Sequence, residues 1–258
     1  MHIPRKRFGQ NFLHDVNVIQ HIISVIQPTA GQNMVEIGPG EGALTQELLP
    51  IVGHLDVVEL DRDLIPHLQK TLADKGELVI HQADALKFDF ASLSSGKHQL
   101  RVVGNLPYNI STPLLFHLLE SSQHIKDMHF MLQKEVVERI TAKPGTKNYG
   151  RLTVMMNFYC QSEMLFLVKP ESFRPSPKVE SAIIRLIPHA KPPVEVDPAK
   201  LSTLVSRAFA QRRKTLRNNL KGILDGEAIQ ALGIDPGIRP EQLTLAEFSL
   251  LAKKVTFD

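Results

Sequence analysis

The chain has 258 residues, 43% of them hydrophobic and 22% charged, a composition that suits one large folded domain plus an appendage and excludes fibrous and disordered classes. Its longest uninterrupted apolar run is Met164 to Val168, and the basic start at Arg5, Lys6 and Arg7 leads into Gln10, Asn11, His14 and Asp15, so neither a membrane helix nor a signal peptide is expected. The single cysteine, Cys160, excludes an internal disulfide and a thiolate metal cluster, and a cytoplasmic protein with no membrane partner is the expectation.

After the basic opening, Asp15 is placed to cap a helix carrying Ile19, Ile22, Ile23 and Ile26 at helical spacing. Short apolar runs follow at Met34–Ile37, Leu55–Leu60, Leu78–His81, Leu100–Val103 and Met128–Leu132, each reading as a strand. Helical patterns alternate with them at Leu44–Leu49, Leu64–Leu72 and Pro113–Leu119, the last with Thr112 as expected N-cap and Pro113 at the first helical position. This alternation predicts an α/β fold whose doubly wound sheet is mainly parallel. A helical stretch near Leu152 to Cys160 precedes strands at Met164–Val168 and Val179–Ile187, a hairpin-like pair that suits an antiparallel sheet edge.

The segment His189–Pro198, with Pro192, Pro193 and Pro198, reads as a linker. The chain is therefore expected to divide into a catalytic domain over 1–188 and a small all-α domain over 189–258. In the latter, Leu201, Leu204, Val205 and Ala208, then Leu216, Leu220, Ile223 and Leu224, follow the helical period, and Thr244 with Glu247 forms a capping box. The net charge of +3 resides in residues 186–258, which hold 11 Lys and Arg against 8 Asp and Glu. Arg207, Arg212, Arg213, Lys214, Arg217 and Lys221 form a run without an acid, which suits a polyanion or else a solvated helix face. Lys143–Arg151, with Gly145 and Gly150, reads as a second, mobile basic loop or as plain surface.

Ligands of a doubly wound sheet collect beyond the carboxyl ends of its strands, so the chemistry is expected at those corners. The first is Val35-Glu36-Ile37-Gly38-Pro39-Gly40, where glycines allow a sharp turn and a close approach of main-chain N–H groups to a ligand. Glu59 follows at the end of the second strand, placed to accept hydrogen bonds from ribose hydroxyls, and Asp84 follows the third, placed for an adenine amino group. Gly38, Gly40 and Ala43 also satisfy the dinucleotide pattern G-x-G-x-x-G/A, so a nicotinamide-dependent oxidoreductase stays open at this point.

The fourth corner, Gly104-Asn105-Leu106-Pro107-Tyr108, is more specific. It combines a side-chain amide oxygen, a carbonyl held by the following proline, and an aromatic face. Two acceptors that grip the hydrogens of an exocyclic amine favour a pyramidal, more nucleophilic nitrogen, and a tyrosine stacked on the base fixes its direction of attack. Hydride transfer has no use for this set. The eleven histidines include no H-E-x-x-H or cysteine-paired spacing, so no metal is expected.

The N-terminal Arg7-Phe8-Gly9-Gln10-Asn11-Phe12-Leu13, Val35-Glu36-Ile37-Gly38-Pro39-Gly40, Val58-Glu59-Leu60-Asp61, Asp84-Ala85, Gly104–Ser111 and Phe173-Arg174-Pro175-Ser176-Pro177-Lys178-Val179-Glu180-Ser181-Ala182 resemble, over almost the whole chain, the ribosomal RNA adenine dimethyltransferases. The resemblance implies a Rossmann-like fold, S-adenosylmethionine as methyl donor, and transfer to N6 of two adjacent adenines near the 3′ end of 16S ribosomal RNA in the small subunit or its precursor. It implies that Asn11, Leu13, Gly38, Gly40, Glu59, Asp84 and Asn105 hold the donor and that Asn105, Leu106, Pro107 and Tyr108 form the catalytic corner. It further implies that Phe173 is a second aromatic that sandwiches the flipped adenine with Tyr108, and it implies a role in ribosome biogenesis; a monomer is the expectation. Arg213, Arg217 and Lys221 are expected on one helical stripe that tracks the RNA backbone. The alternatives carried forward are an adenine methyltransferase of the antibiotic-resistance type acting on large-subunit RNA, a nicotinamide oxidoreductase, and a non-catalytic assembly factor on a methyltransferase fold.

Overall fold

A computed structural model describes residues 10–94 and 99–255; Arg5, Lys6, Arg7, Phe8 and Gly9 lie outside the described residues. In chain order the elements begin with strand β1 (Phe12–Leu13), helix α1 (Val16–Ile26), β2 (Met34–Ile37), α2 (Thr45–Val52) and β3 (His54–Glu59). Next come α3 (Ile65–Leu72), β4 (Glu77–Gln82), β5 (Leu100–Asn105), α4 (Ser111–Glu120) and β6 (Ile125–Gln133). They continue with α5 (Lys134–Ile140), α6 (Arg151–Tyr159), β7 (Cys160–Val168), β8 (Phe173–Arg174) and β9 (Ser181–Pro188), and end with α7 (Pro198–Ala208), α8 (Leu216–Asn219), α9 (Gly226–Gln230) and α10 (Leu245–Lys254).

Seven strands form one sheet in the order β4-β3-β2-β5-β6-β9-β7. The pairs among β2 to β6 are parallel, and β9 runs antiparallel to β6. Strands β2 and β5 are buried on both faces, as a sheet covered by helices on both sides requires. The chain winds from β2 outward through β3 to β4, then returns to the other side of β2 with β5. The strand order therefore reverses between β2 and β5, and the crevice at their carboxyl ends is where such a sheet binds its ligand. The described chain falls into two compact units: one holds the residues up to Val137 with Glu163–Pro188, and the other holds Glu138–Ser162 with the chain from His189. The C-terminal helices thus share their unit with α6.

In the first unit, Asp15 caps α1 by accepting from the Asn17 and Val18 N–H groups, and Ile19, Ile22 and Ile26 are buried on its inner face. The helix ends at Gln27 in the left-handed region, φ 51°. There the buried Arg101, near the start of β5, donates to the Ile26 carbonyl at 2.6 Å, to the Gln32 side chain at 2.7 Å and to Asp127 at 2.9 Å. This ion pair anchors α1 and the amino ends of β5 and β6, and the opposite ends remain free for ligand. Helix α4 begins two residues earlier than the Thr112 cap implied: Ile110 occupies the N-cap without a side-chain bond, so Thr112 and Pro113 sit in the first turn, where the missing proline N–H has no helical partner to lose.

Strand β7 begins at Cys160 instead of Met164, and β9 begins at Ser181 instead of Val179. A second, two-stranded sheet carries no sequence signal. Phe12 pairs with Arg174 and Leu13 with Phe173, antiparallel, and His14 N–H donates to the Ser172 carbonyl at 3.0 Å. The N-terminal strap is thereby fixed to the Pro-rich loop more than 150 residues later.

In the second unit, α7 buries Leu201, Leu204, Val205 and Ala208, and α10 buries Phe248, Leu251 and Ala252. Thr244 and Glu247 form the expected capping box. Helix α8 is only four residues long, which overturns the single stripe of Arg213, Arg217 and Lys221: Arg213 precedes the helix and Lys221 follows it. The Asn219 side chain donates to the Gln211 and Lys214 carbonyls and accepts from the Gln211 N–H, and Thr215 is extended. These side-chain bonds offer the backbone an alternative to the helix. The Lys143–Arg151 loop is held in place: Gly145 N–H donates to the Glu241 carbonyl at 2.7 Å, the Arg212 guanidinium donates to the Lys147 carbonyl at 2.6 Å, and Tyr149 is buried.

Candidate active site

A cavity of about 290 Å³ opens at the carboxyl ends of β2, β3 and β5, where the strand order reverses. It is lined by the strap residues Gln10–Leu13, the Glu36–Glu41 corner, Glu59, Asp84 and the segment Asn105–Ile110. Asn11, Leu13, Gly38, Gly40, Glu59, Asp84, Asn105, Leu106, Pro107 and Tyr108, singled out from sequence, all line this one space.

The glycine corner is built by backbone geometry. Gly38 and Gly40 have φ of 66° and 60°, a region costly for other L-residues. A Cβ on Gly40 would lie 3.0 Å from the Phe12 ring, so the strap rests directly on the corner. Between β2 and β5 the approach is closer still: a Cβ on Gly104 would come within 2.5 Å of the Ile37 carbonyl oxygen. The backbone at Gly38 and that at Asn105 thereby become neighbours across the crevice.

Glu59 is nearly buried, and its carboxylate accepts from the Gly40 N–H at 3.3 Å and the Asp61 N–H at 2.8 Å. It therefore braces the glycine corner, and each oxygen keeps a second lone pair for a ligand. Burial raises its pKa above the ordinary carboxylate value despite these backbone bonds. Asp84 accepts the Leu86 N–H at 3.0 Å in its own turn.

At the fourth corner, the Asn105 Nδ2 donates to the main-chain carbonyl of Asn11 at 3.0 Å. With its amide nitrogen so engaged, Asn105 Oδ1 is the oxygen left for a donor in the cavity. Leu106 is buried and its N–H donates to the Met131 carbonyl at 3.2 Å, which fixes the peptide that leads into Pro107. The Tyr108 hydroxyl is 2.8 Å from Ser181 Oγ on β9. Half-burial raises the phenol's pKa, with the Ser181 bond acting in the opposite direction, so Tyr108 offers a neutral ring held at its far end.

Phe173 does not line this cavity. It is 2% exposed, its backbone pairs with Leu13, and its ring belongs to the core cluster with Ile19, Ile22 and Val168. The open aromatic face expected beside Tyr108 is absent from this arrangement because pairing with β1 draws Phe173 inward. Arg213, Arg217 and Lys221 are exposed in the second unit.

Glu36 carries no signal of its own in the sequence beyond its place in the glycine motif, yet it is 2% exposed and lines the cavity. Thr45 Oγ1 donates to its Oε2 at 2.6 Å. Burial raises its pKa to about 7, the Thr45 bond opposing and the nearby Glu59 reinforcing the rise. Burial also pushes the Cys160 thiol up to about 12, away from nucleophilic chemistry. Among the described residues no group of three His, Cys, Asp or Glu side chains has metal-binding geometry.

The electrostatic character of the cavity is one-sided. Glu36, Glu41, Glu59 and Asp84 line it, and no Lys, Arg or His does so among the described residues. A mainly parallel sheet with its reversal at β2 and β5, a glycine corner and an acid after the second strand define a Rossmann-like fold, and comparison with known proteins makes it that of a methyltransferase. The chain belongs to the ribosomal RNA adenine dimethylase family, whose model matches residues 1–256. It is 57% identical over 255 residues to "Ribosomal RNA small subunit methyltransferase A" of Marinomonas sp. (strain MWYL1), covering 98% of this chain and 96% of that protein. It is likewise 57% identical to the protein of that name from Pseudomonas aeruginosa, covering 98% and 95%. Among solved structures, a dimethyladenosine transferase from Plasmodium falciparum has a TM-score of 0.73 at 29% identity, covering 86% of this chain and 78% of that one. The 23S rRNA methyltransferase ErmE also has a TM-score of 0.73, at 26% identity, covering 95% and 99%.

Proposed function

We propose that this chain transfers methyl groups from S-adenosylmethionine to N6 of two adjacent adenines near the 3′ end of 16S ribosomal RNA, giving N6,N6-dimethyladenine in the small subunit or its precursor. The observation that carries this reading is the Asn105–Tyr108 corner in a cavity lined by four acidic side chains and, among the described residues, by no cation. That lining suits a donor with a net positive charge. A dinucleotide would bring its pyrophosphate against those carboxylates, which argues against the nicotinamide alternative.

When bound, S-adenosylmethionine supplies a sulfonium methyl group that an amine nitrogen can take by direct displacement. Glu59 would hold its ribose and Asp84 its adenine, Gly38 and Gly40 would admit its methionine end close to the backbone, and Asn11 and Leu13 would close over it from the strap. Asn105 Oδ1 and the Leu106 carbonyl would accept the two hydrogens of the target amine, Pro107 would keep that carbonyl in place, and Tyr108 would stack on the base. Phe173 would act at one remove, by holding Leu13 and hence the strap.

The 23S rRNA methyltransferase ErmE shares the fold at a TM-score of 0.73, so the fold alone does not exclude large-subunit RNA as substrate. The sequence favours small-subunit RNA, because the small-subunit relatives are 57% identical and ErmE 26%. The exposed Arg213, Arg217 and Lys221 would contact RNA phosphates from separate turns of the second unit. No helix among the described residues is long and apolar enough to cross a membrane, which suits a cytoplasmic enzyme.

Equilibrium binding tests the cavity directly. The protein should bind S-adenosylmethionine and not NADH. The reverse preference would overturn the reading.

A further inference from the structure

Gly38, Glu59, Asp84 and Asn105 reach the cavity from the carboxyl ends of parallel strands. Strand β9 runs the other way, antiparallel to β6, so its first residue arrives at that same end of the sheet. That residue is Ser181, which is fully buried and pairs with Gln133 at the end of β6. Its hydroxyl lies 2.8 Å from that of Tyr108, close enough for one to donate to the other. The residue before it is fixed twice: the Lys134 N–H donates to the Glu180 carbonyl at 3.0 Å, and the Lys134 ammonium donates to the Glu180 carboxylate at 2.8 Å. The Asn105–Tyr108 corner is thus fastened to β6 through the Leu106 N–H and to β9 through the Tyr108 hydroxyl.

We infer that Ser181 is a positioning residue for base stacking: its hydroxyl sets the direction of the Tyr108 ring, and with it the orientation in which the target adenine is held. This deepens the reading of the corner as the adenine site and rests on it. The phenol oxygen lies on the axis that runs from Cβ through the ring, so a bond at that oxygen fixes where the axis points and leaves rotation about it free. Without the bond, the side chain is left to the staggered wells about Cα–Cβ, which send the ring in widely different directions. A ring held at both ends is ordered before RNA arrives, so that ordering is not charged against binding. Ser181 does not itself line the cavity, so it acts through Tyr108.

The test is a double-mutant cycle on methyl transfer to small ribosomal subunits that lack the modification, using wild type, Ser181→Ala, Tyr108→Phe and the double variant. Ser181→Ala should lower kcat/KM for RNA about fivefold, the fold-change of one net hydrogen bond, while donor affinity from equilibrium binding stays within about twofold. In the Tyr108→Phe background the same substitution should cost less than about twofold, because its partner hydroxyl is already gone. Ser181→Cys keeps the volume with a weak hydrogen-bonding group and should give the same pattern, so the inference stays testable if Ser181→Ala fails to fold. Equal losses in both backgrounds, no loss in either, or a parallel loss of donor affinity would reduce Ser181 to a packing residue and overturn the inference, with the adenine site left standing. A wild type that methylates no adenine would overturn the reading of the corner, and the inference with it.

Discussion

The side-chain amide of Asn105, at the end of β5, donates at 3.0 Å to the main-chain carbonyl of Asn11, 94 residues earlier in the strap. One bond therefore joins the corner after β5 to the strap that lines the cavity, and it decides which end of the amide is left for a ligand there.

The substitution Asn105→Asp separates these two functions from folding. The introduced carboxylate would keep an acceptor but lose the N–H that meets Asn11, setting an oxygen against a carbonyl. Methyl transfer should fall by about 100-fold or more, the scale of losing one oriented polar group at a reacting centre. The melting temperature should change little, because Asn105 is only partly buried. A filter assay with labelled donor, run beside a thermal melt, measures both; a rate within about threefold of wild type would refute the assignment.

Tyr108 has a ring facing the cavity and a hydroxyl tied to Ser181 at 2.8 Å. Tyr108→Phe keeps the ring and should reduce turnover only a few-fold. Tyr108→Ala removes a stacking surface of about 1–3 kcal/mol and should weaken use of RNA by roughly 10- to 100-fold. Donor affinity should survive both changes. Phe173→Leu should instead lower thermal stability and loosen donor binding, because Phe173 is a core residue paired with Leu13.

The acid form of Glu36 links stability to pH. Its folded-state pKa is raised from 4.5 to about 7, so its contribution is fully present below pH 4.5 and is lost as pH rises through about 7. The loss is of order 3 kcal/mol in the donor-free protein. Urea unfolding at pH 5 and pH 8 should show it in wild type and show a smaller difference in Glu36→Gln.

Arg213, Arg217 and Lys221 are exposed on three consecutive turns that do not form one helix. If each meets a phosphate, neutralising any one should lower the salt dependence of RNA binding by about 0.7–0.9 in the log–log slope. Cavity substitutions should leave that slope unchanged. Binding titrations at four salt concentrations distinguish the two groups.

The strands of the parallel sheet were legible in the sequence because their apolar runs, such as Met34–Ile37, stand between turn residues and obey a local pattern. Each strand end then placed its corner at the cavity, so Gly38, Glu59, Asp84 and Asn105 could be found one by one. Contacts distant in sequence were not legible. Two-residue strands at Phe12–Leu13 and Phe173–Arg174 carry no periodicity, and without their pairing the inward position of Phe173 could not be foreseen. The helical spacing of Leu216, Leu220 and Leu224 was real, but it serves tight turns held by the Asn219 side chain. Glu36 went unnoticed because its importance lies in burial, which emerges only when α2 and β3 enclose it.

The most direct test of the central claim is transfer of labelled methyl from S-adenosylmethionine to small ribosomal subunits purified from cells that lack this modification, followed by nucleoside analysis. The account predicts N6,N6-dimethyladenine at two adjacent positions near the 3′ end of 16S ribosomal RNA, abolished by Asn105→Ala. Label confined to large-subunit RNA, or no label on either subunit, would contradict it.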